Sequence, residues 1–211
     1  MDAVEEYIAV VMRNIHAPLA ERQRIAGDLR AHLEESIQAG DSAKSAIAHM
    51  GSQLEVAAEF MSQVRLEYAG FWIRLLAFAV DLALLILSAG ILAVVAVWAS
   101  NRVQPSPQGL DYVTGALWIA LAVSCALSTV GIILLYFPIL EGRFGWTPGK
   151  RLFGLHVLKE NGLPIGYKEA FLRRISFYFE VLPVDALFIP FTARRQRAFD
   201  IVARTVVVSI P

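Results

Sequence analysis

Charged residues are scarce in this chain, and so is cysteine. Asp, Glu, Lys and Arg make up 18% of its 211 residues and hydrophobic residues 56%, whereas soluble proteins have about 25% charged residues. An ordinary soluble domain is therefore disfavoured. The single cysteine, Cys125, excludes an internal disulfide and is expected to be a small packing residue. The acidic N-terminus lacks the basic and apolar regions of a secretory signal peptide, so we expect none.

The residue patterns of most enzyme classes are also missing. The sequence has no evident nucleophile–base pair, and Asp28 and His32, four residues apart, indicate a solvated helical pair more than a metal site. Residues 147–150, Thr-Pro-Gly-Lys, lack the spacing of a phosphate-binding P-loop and favour a type II turn. We therefore predict no enzymatic activity, no catalytic residue, no metal and no cofactor.

Charge is distributed unevenly along the chain. Residues 1–67 contain 11 acids and 6 bases, whereas residues 68–211 contain 8 acids and 13 bases. The second part also contains the long apolar runs. We therefore predict two domains, an acidic helical head at residues 1–66 and a basic membrane body at residues 68–211.

Four short helices are predicted in the head. Pro18 suits the first turn of the second helix, Gly40 and Gly51 are placed to end the second and third, and the capping box S-x-x-E at 52–55 opens the fourth. The segment GDLRAHLEESIQAGDSAKSAIAHMGSQLEVAAEFM resembles the HAAS-type domain, a likeness that covers about residues 1–65. The resemblance implies a signalling module, so we predict a cytoplasmic protein partner for residues 1–66.

Two apolar runs in the body are long enough to cross a bilayer. They cover residues 71–99 and about 112–140, and each exceeds the roughly 20 residues that a membrane helix needs. A stripe of small residues on the second run would allow close helix packing, with the first run or in a homo-oligomer. Residues 141–174 contain seven bases and three acids, so the positive-inside rule places them and the head in the cytoplasm.

A third apolar segment, at about residues 175–192, is interrupted by acids and prolines. It contains Glu180, Pro183, Asp185 and Pro190, and Pro183 is expected to break or kink it. The basic tail that follows should stay on the cytoplasmic side, which favours a re-entrant segment over a third transmembrane helix. The tail arginines, at 194, 195 and 197, are more typical of a lipid anchor than of nucleic-acid binding, so no nucleic-acid partner is predicted.

A small β element is predicted on the same side of the membrane. Residues 151–167 have the pattern of a β-hairpin around Asn161-Gly162, and the tail ends in the strand-forming sequence RTVVVSI. A hairpin is marginal alone, so the tail would add a third strand; the alternative is an unpaired tail. The predicted fold class is an all-α membrane protein with a small β element.

Asp81 is the least expected residue of the first apolar run. The run's only charged residues are Arg74 and Asp81, and a charge at bilayer depth costs roughly 2.5–3.5 kcal/mol. The two share a helix face about two turns apart, which makes direct contact doubtful. We expect Arg74 to reach lipid phosphate. Asp81 should be protonated, face a wet cavity or find a partner on another segment, with Glu180–Asp185 as the first candidate.

Three separated motifs resemble the RDD family of bacterial membrane proteins. They are AGFWIRLLAFAVDLALL, GWTPGKRLFGLHVLKENGLPIGYKEAFLRR and RRQRAFDIVARTVVV, within about residues 68–210. The resemblance matches the family's Arg to Arg74 and its two Asp to Asp81 and Asp200, whereas Phe199 stands where many relatives have His. It implies a multi-pass protein of the bacterial inner membrane. Transport is the usual inference for this family, and some members resemble sodium–proton antiporters.

Two functions are compatible with these residues. One is transport of a cation or small ligand, for example by Na⁺/H⁺ exchange, along an ion pathway formed by Arg74, Asp81, Asp200, Glu180 and Asp185. The other is a signalling or scaffold protein, in which the head binds a partner and the family's charged residues form a structural network. In both cases we predict an interfacial motif of Thr147, Pro148, Gly149 and Lys150, with the lysine near lipid phosphates.

Overall fold

The computed structural model describes residues 3–102, 109–179 and 182–210. The helices of the head are α1 (Ala3–Arg13), α2 (Leu19–Gln38), α3 (Ala43–Met50) and α4 (Gln53–Gln63). Those of the body are α5 (Phe71–Ser100), α6 (Gly109–Phe144), α7 (Pro148–Leu152), α8 (Tyr167–Tyr178), α9 (Leu182–Ala186) and α10 (Ala198–Val202). A 3-10 turn covers Ile189–Phe191, and the strands are β1 (Leu155–Lys159) and β2 (Thr205–Ser209).

The four head helices form where the sequence predicts them. Ser52 and Glu55 complete the capping box, since the Ser52 hydroxyl accepts from the Glu55 N–H at 3.3 Å and the Glu55 carboxylate accepts from the Ser52 N–H at 3.4 Å. Gly40 and Gly51 follow α2 and α3 with φ of +108° and +90°, a backbone conformation that favours glycine. The predicted helices are confirmed, while a separate HAAS-type domain stays a prediction.

The head packs directly against the sheet of the body. Its apolar core includes Met61 of α4 and continues into Leu158 of β1 and Val206 of β2. The loop after β1 also touches α4, because a Cβ on Gly162 would lie only 2.6 Å from the Cβ of Met61. The position of the head is therefore coupled to that of the sheet.

Among the described residues, α5 and α6 are the two helices long and apolar enough to cross a membrane. Only 11% and 6% of their most apolar 18-residue windows are buried, so neither is the core helix of a soluble protein. They run antiparallel, since the rings of Trp98 and Trp118 lie 5.2 Å apart and those of Phe78 and Phe137 lie 6.0 Å apart. The two long apolar helices predicted from the sequence are confirmed.

The third apolar segment is broken into short pieces. Helix α8 has 12 residues and α9 has 5, both far short of the roughly 20 that a span needs. Pro183 lies in the first turn of α9 and Pro190 lies in the 3-10 turn, positions that proline tolerates well. The described helices of this segment are thus too short to span a bilayer, whereas a break at Pro183 and entry of the segment into the bilayer stay predictions.

The tail supplies the main partner of the first strand. Strands β1 and β2 pair antiparallel along their whole length, with Val157 opposite Val207. The hairpin predicted around residues 161–162 is reduced to one bridge, between Leu158 and Pro164. Proline has no N–H to donate to a strand ladder, so pairing stops there. The predicted third strand is thus the second strand of a two-stranded sheet.

Candidate functional site

Asp81 is fully buried on α5 and binds three hydrogen-bond donors. Its Oδ1 accepts from the Gly149 N–H at 2.8 Å and from the Tyr136 hydroxyl at 3.0 Å. Its Oδ2 accepts from the Thr147 hydroxyl at 2.5 Å. We call these four residues the Asp81 cap. Three donors satisfy a buried carboxylate without a paired cation, which offsets much of the cost of its burial.

Two of these donors are positioned because residues 147–149 begin a helix. Thr147 is the N-cap of α7, where its Oγ1 accepts from the N–H three residues later at 3.4 Å, and Pro148 takes the first helical position. The predicted type II turn is wrong, because Gly149 lacks the positive φ that this turn requires. A Cβ on Gly149 would lie 2.1 Å from the Ala77 carbonyl oxygen, so only glycine lets α7 approach α5 this closely.

Lys150 points into the protein rather than toward lipid. Its Nζ donates to Glu141 Oε1 at 2.5 Å, and its side chain is 13% exposed. Burial lowers the pKa of Lys150 to about 8, with Glu141 opposing the shift and Arg173 adding to it. The expected contact of Lys150 with lipid phosphate is therefore wrong. Its neighbour Arg151 is exposed and lies over the ring of Trp146, at 4.5 Å.

Asp200 is fully buried in the first turn of α10 and faces three arginines. It lies 3.1 Å from Arg74, 3.2 Å from Arg173 and 3.0 Å from Arg197. Burial favours the neutral acid, but the three guanidiniums outweigh it and hold the pKa of Asp200 well below its usual range. We call these four residues the Asp200 cluster. It keeps a carboxylate ionised inside the protein.

Arg74 joins the first long helix to the tail. Its Nη1 donates to Asp200 Oδ2 at 3.1 Å and its Nη2 to the Val207 carbonyl at 3.4 Å, and its side chain is 9% exposed. The expected reach to lipid phosphate is wrong, because Asp200 offers a buried carboxylate within contact. In the described part of the chain, Arg74 and Asp81 form no ion pair, as their spacing on one helix predicts.

Of the two acids expected near Asp81, the structure describes Asp185, and its contacts are with other residues. Asp185 accepts from the Phe199 N–H at 2.9 Å and lies 3.8 Å from Arg197, so it supports the Asp200 cluster. Glu180 lies outside the described residues. The hypothesis that Asp185 is the partner of Asp81 is therefore wrong, because α7 supplies donors to Asp81 instead.

Four residues of this region were not predicted: Tyr136, Glu141, Arg173 and Arg174. Arg173 and Arg174 are only 1% and 5% exposed, although adjacent arginines ordinarily indicate a solvated helix face. Arg174 lies over the ring of Phe137, with its guanidinium carbon 3.1 Å from the centroid. Glu141 could have been identified from the sequence, because it is an acid at the end of the second apolar run, nine residues before Lys150.

A cavity of about 100 Å³ adjoins the Asp81 cap and the Asp200 cluster. Its wall includes Asp81, Arg74 and Arg197, together with the aromatic side chains of Phe71 and Phe78 on α5. Within the described ranges, no three His, Cys, Asp or Glu side chains come together as metal ligands. The cavity has room for several waters or one small ligand.

The body matches a known protein family. The sequence model of the RDD family matches residues 68–204, which begin just before α5 and end after α10. No curated protein and no solved structure matches the chain. The matched region contains both the Asp81 cap and the Asp200 cluster, and it excludes the four helices of the head.

Proposed function

The chain belongs to the RDD family of membrane proteins, and we propose that it is a membrane-anchored scaffold or signalling protein. Residues 1–66 bind a cytoplasmic protein partner, and α5 and α6 anchor the chain. The proposed location is the bacterial inner membrane with the N-terminus in the cytoplasm, as the basic residues 141–174 favour. We propose no enzymatic activity and no cofactor.

The Asp81 cap is the observation that supports this proposal most. Asp81 accepts hydrogen bonds from Tyr136, Thr147 and Gly149, and it is fully buried. A cation that bound Asp81 would compete with these three donors, and each buried donor that it displaced would be left unpaired at a cost of about 1–3 kcal/mol. A fixed structural acceptor fits this geometry better than an exchange site.

The Asp81 cap and the Asp200 cluster both connect α5 to the helices and strands around the small sheet. The Asp81 cap joins α5 to α7, which leads into β1, and the Asp200 cluster joins α5 to α8, α10 and the tail strand. Because the head rests on that sheet, the head is held in a defined position relative to the first span. A scaffold or sensor needs such a rigid connection to relate its cytoplasmic part to its membrane part.

Cation exchange is the second candidate, and the cavity beside Asp81 favours it. An intramembrane acid next to a cavity is a common feature of ion pathways. The cavity wall, however, contains five basic side chains, which repel a cation: Arg74, Lys150, Arg173, Arg174 and Arg197. This charge makes the scaffold the better supported function.

Reconstitution of the full-length protein in vesicles separates the two functions. The variants are Asp81→Asn and, as a matched control, Asp28→Asn, whose acid is exposed and pairs with Arg24 on the head surface. The measurements are Na⁺-driven proton flux, followed with an internal pH dye, and thermal unfolding. The scaffold predicts no flux above empty vesicles and a lower melting temperature for Asp81→Asn alone. Flux in the wild type that is lost in an equally stable Asp81→Asn protein would establish exchange instead.

A further inference from the structure

The cavity between the Asp81 cap and the Asp200 cluster has an excess of positive charge. Five cations line it, and among the described residues four acids line or adjoin them: Asp81, Glu141, Asp185 and Asp200. Asp81 is already occupied by three neutral donors. The remaining three acids pair with four of the five cations.

Arg174 is the cation that these acids leave without a partner. It is 5% exposed, and it forms no ion pair with any described residue. Its Nε has no hydrogen-bond acceptor within the described ranges, and its guanidinium lies over the rings of Phe137 and Phe177, at 3.1 and 5.2 Å. Aromatic faces hold a guanidinium in place but leave its N–H groups, which lie in its plane, unused.

Arg173, the neighbour of Arg174 on α8, also has unused donors. Its Nη2 lies 3.2 Å from Asp200 and its Nε lies 3.7 Å from Glu141, within ion-pair distance. None of its three guanidinium nitrogens makes a hydrogen bond to a described residue. Unsatisfied buried N–H groups on charged side chains are costly, so an acceptor inside the cavity would satisfy both arginines.

The titration of the neighbouring cations agrees with this excess. Burial, opposed by Glu141 and reinforced by nearby arginines, lowers the pKa of Arg174 to about 9 and that of Lys150 to about 8. An anion placed among these side chains would favour their charged forms.

We propose that this cavity binds one phosphate-type oxyanion between Arg173 and Arg174. Its volume of about 100 Å³ has room for several waters and therefore for a small oxyanion. The planar fork of arginine matches phosphate oxygens in bidentate pairs. Leu75 of α5 also lines the cavity and is 43% exposed, so the phosphate of a lipid could enter as well as free phosphate. This site does not depend on the scaffold function.

Binding to the purified full-length protein tests the proposal. The free-ion arm measures binding of radiolabelled inorganic phosphate by equilibrium dialysis in phosphate-free detergent buffer. The lipid arm measures retention of phosphatidic acid by native mass spectrometry, against diacylglycerol with the same acyl chains. The variants are Arg174→Gln and Arg173→Lys, and the control is Arg151→Gln, an exposed arginine outside the cavity.

We expect saturable binding by the wild type and Arg151→Gln, and binding weaker by about tenfold or more in both cavity variants. Binding of inorganic phosphate identifies a free ion, whereas binding of phosphatidic acid alone identifies a lipid headgroup. Arg173→Lys keeps the charge and decides the result if Arg174→Gln does not fold. The proposal is overturned if the wild type binds neither probe, or if folded cavity variants bind as tightly as the control.

Discussion

Asp81 and Asp200 have the same side chain and the same complete burial, yet they are stabilised in opposite ways. Asp81 receives two hydroxyls and one backbone N–H, whereas Asp200 receives three guanidiniums. The hydrogen bonds to Asp81 depend on the close approach of α7, whereas the ion pairs of Asp200 depend on the ionisation of its carboxyl group. The comparison shows that two buried acids of the body have different structural tasks. Asp81 positions a segment, and Asp200 neutralises buried arginines.

Removing the charge of Asp200 should have the largest effect. Asp200→Asn leaves Arg74, Arg173 and Arg197 without their shared carboxylate and should cost about 4 kcal/mol of unfolding free energy, in the range for breaking a buried ion pair. Denaturant unfolding in detergent measures this. Asp28→Asn is the control and should change little, since that acid is exposed. A cost for Asp200→Asn as small as that of the control would contradict the assigned role.

Closing the space around α7 should have the next largest effect. Gly149→Ala places a Cβ within 2.1 Å of the Ala77 carbonyl oxygen and should cost about 3 kcal/mol, because backbone must move apart. The same unfolding measurement applies. The matched control is Gly90→Ala on α5, where a Cβ would meet nothing within 4 Å. Equal stability of the two alanine variants would mean that α7 does not press against α5.

Removing one donor from Asp81 should have a smaller effect. Thr147→Val keeps the shape but leaves one carboxylate oxygen without its hydroxyl and should cost about 2 kcal/mol. Thr147→Ser retains the hydroxyl and should remain within about 0.5 kcal/mol of the wild type. If both variants lose the same stability, packing of the threonine methyl rather than its hydrogen bond accounts for the loss.

The pH dependence of the stability that Asp200 contributes should show the smallest change. The folded-state pKa of Asp200 lies below its unfolded value of about 3.9, so its contribution is complete above that pH and is lost as pH falls through the folded value. The stability gap between the wild type and Asp200→Asn should stay constant from about pH 5 to 8 and narrow only below about pH 4. Unfolding at several pH values measures it. Narrowing near neutral pH would show that Asp200 does not keep its charge.

The elements of this protein were predictable where local signals decide them. The capping box of Ser52 and Glu55 marks the start of α4, and the length of the apolar runs marks α5 and α6. The prolines at 183 and 190 predicted that residues 175–192 do not form one long helix, although α8 already ends at Tyr178, five residues before Pro183. These features depend on neighbours within a few residues.

The contacts of the site were not predictable, because they join distant parts of the chain. Asp81 meets donors 66 and 68 residues away, and Arg74 meets Asp200 across 126 residues. The acids near the prolines of the third apolar segment were the expected partners of Asp81, because charged residues are what stands out in an apolar sequence. A Thr-Pro-Gly sequence fits a turn and a helix start equally well, and the difference depends on the approach of Thr147 to α5.

The most direct test of the Asp81 cap is a double-mutant cycle between Asp81 and Thr147. Unfolding free energies are measured for the wild type, Asp81→Asn, Thr147→Val and the double variant in the same detergent. A structural hydrogen bond predicts a coupling energy of at least about 1 kcal/mol, so the double variant loses less than the two single variants together. Losses that add to within about 0.3–0.5 kcal/mol would show that Asp81 is not held by α7, and would contradict its role as a structural acceptor.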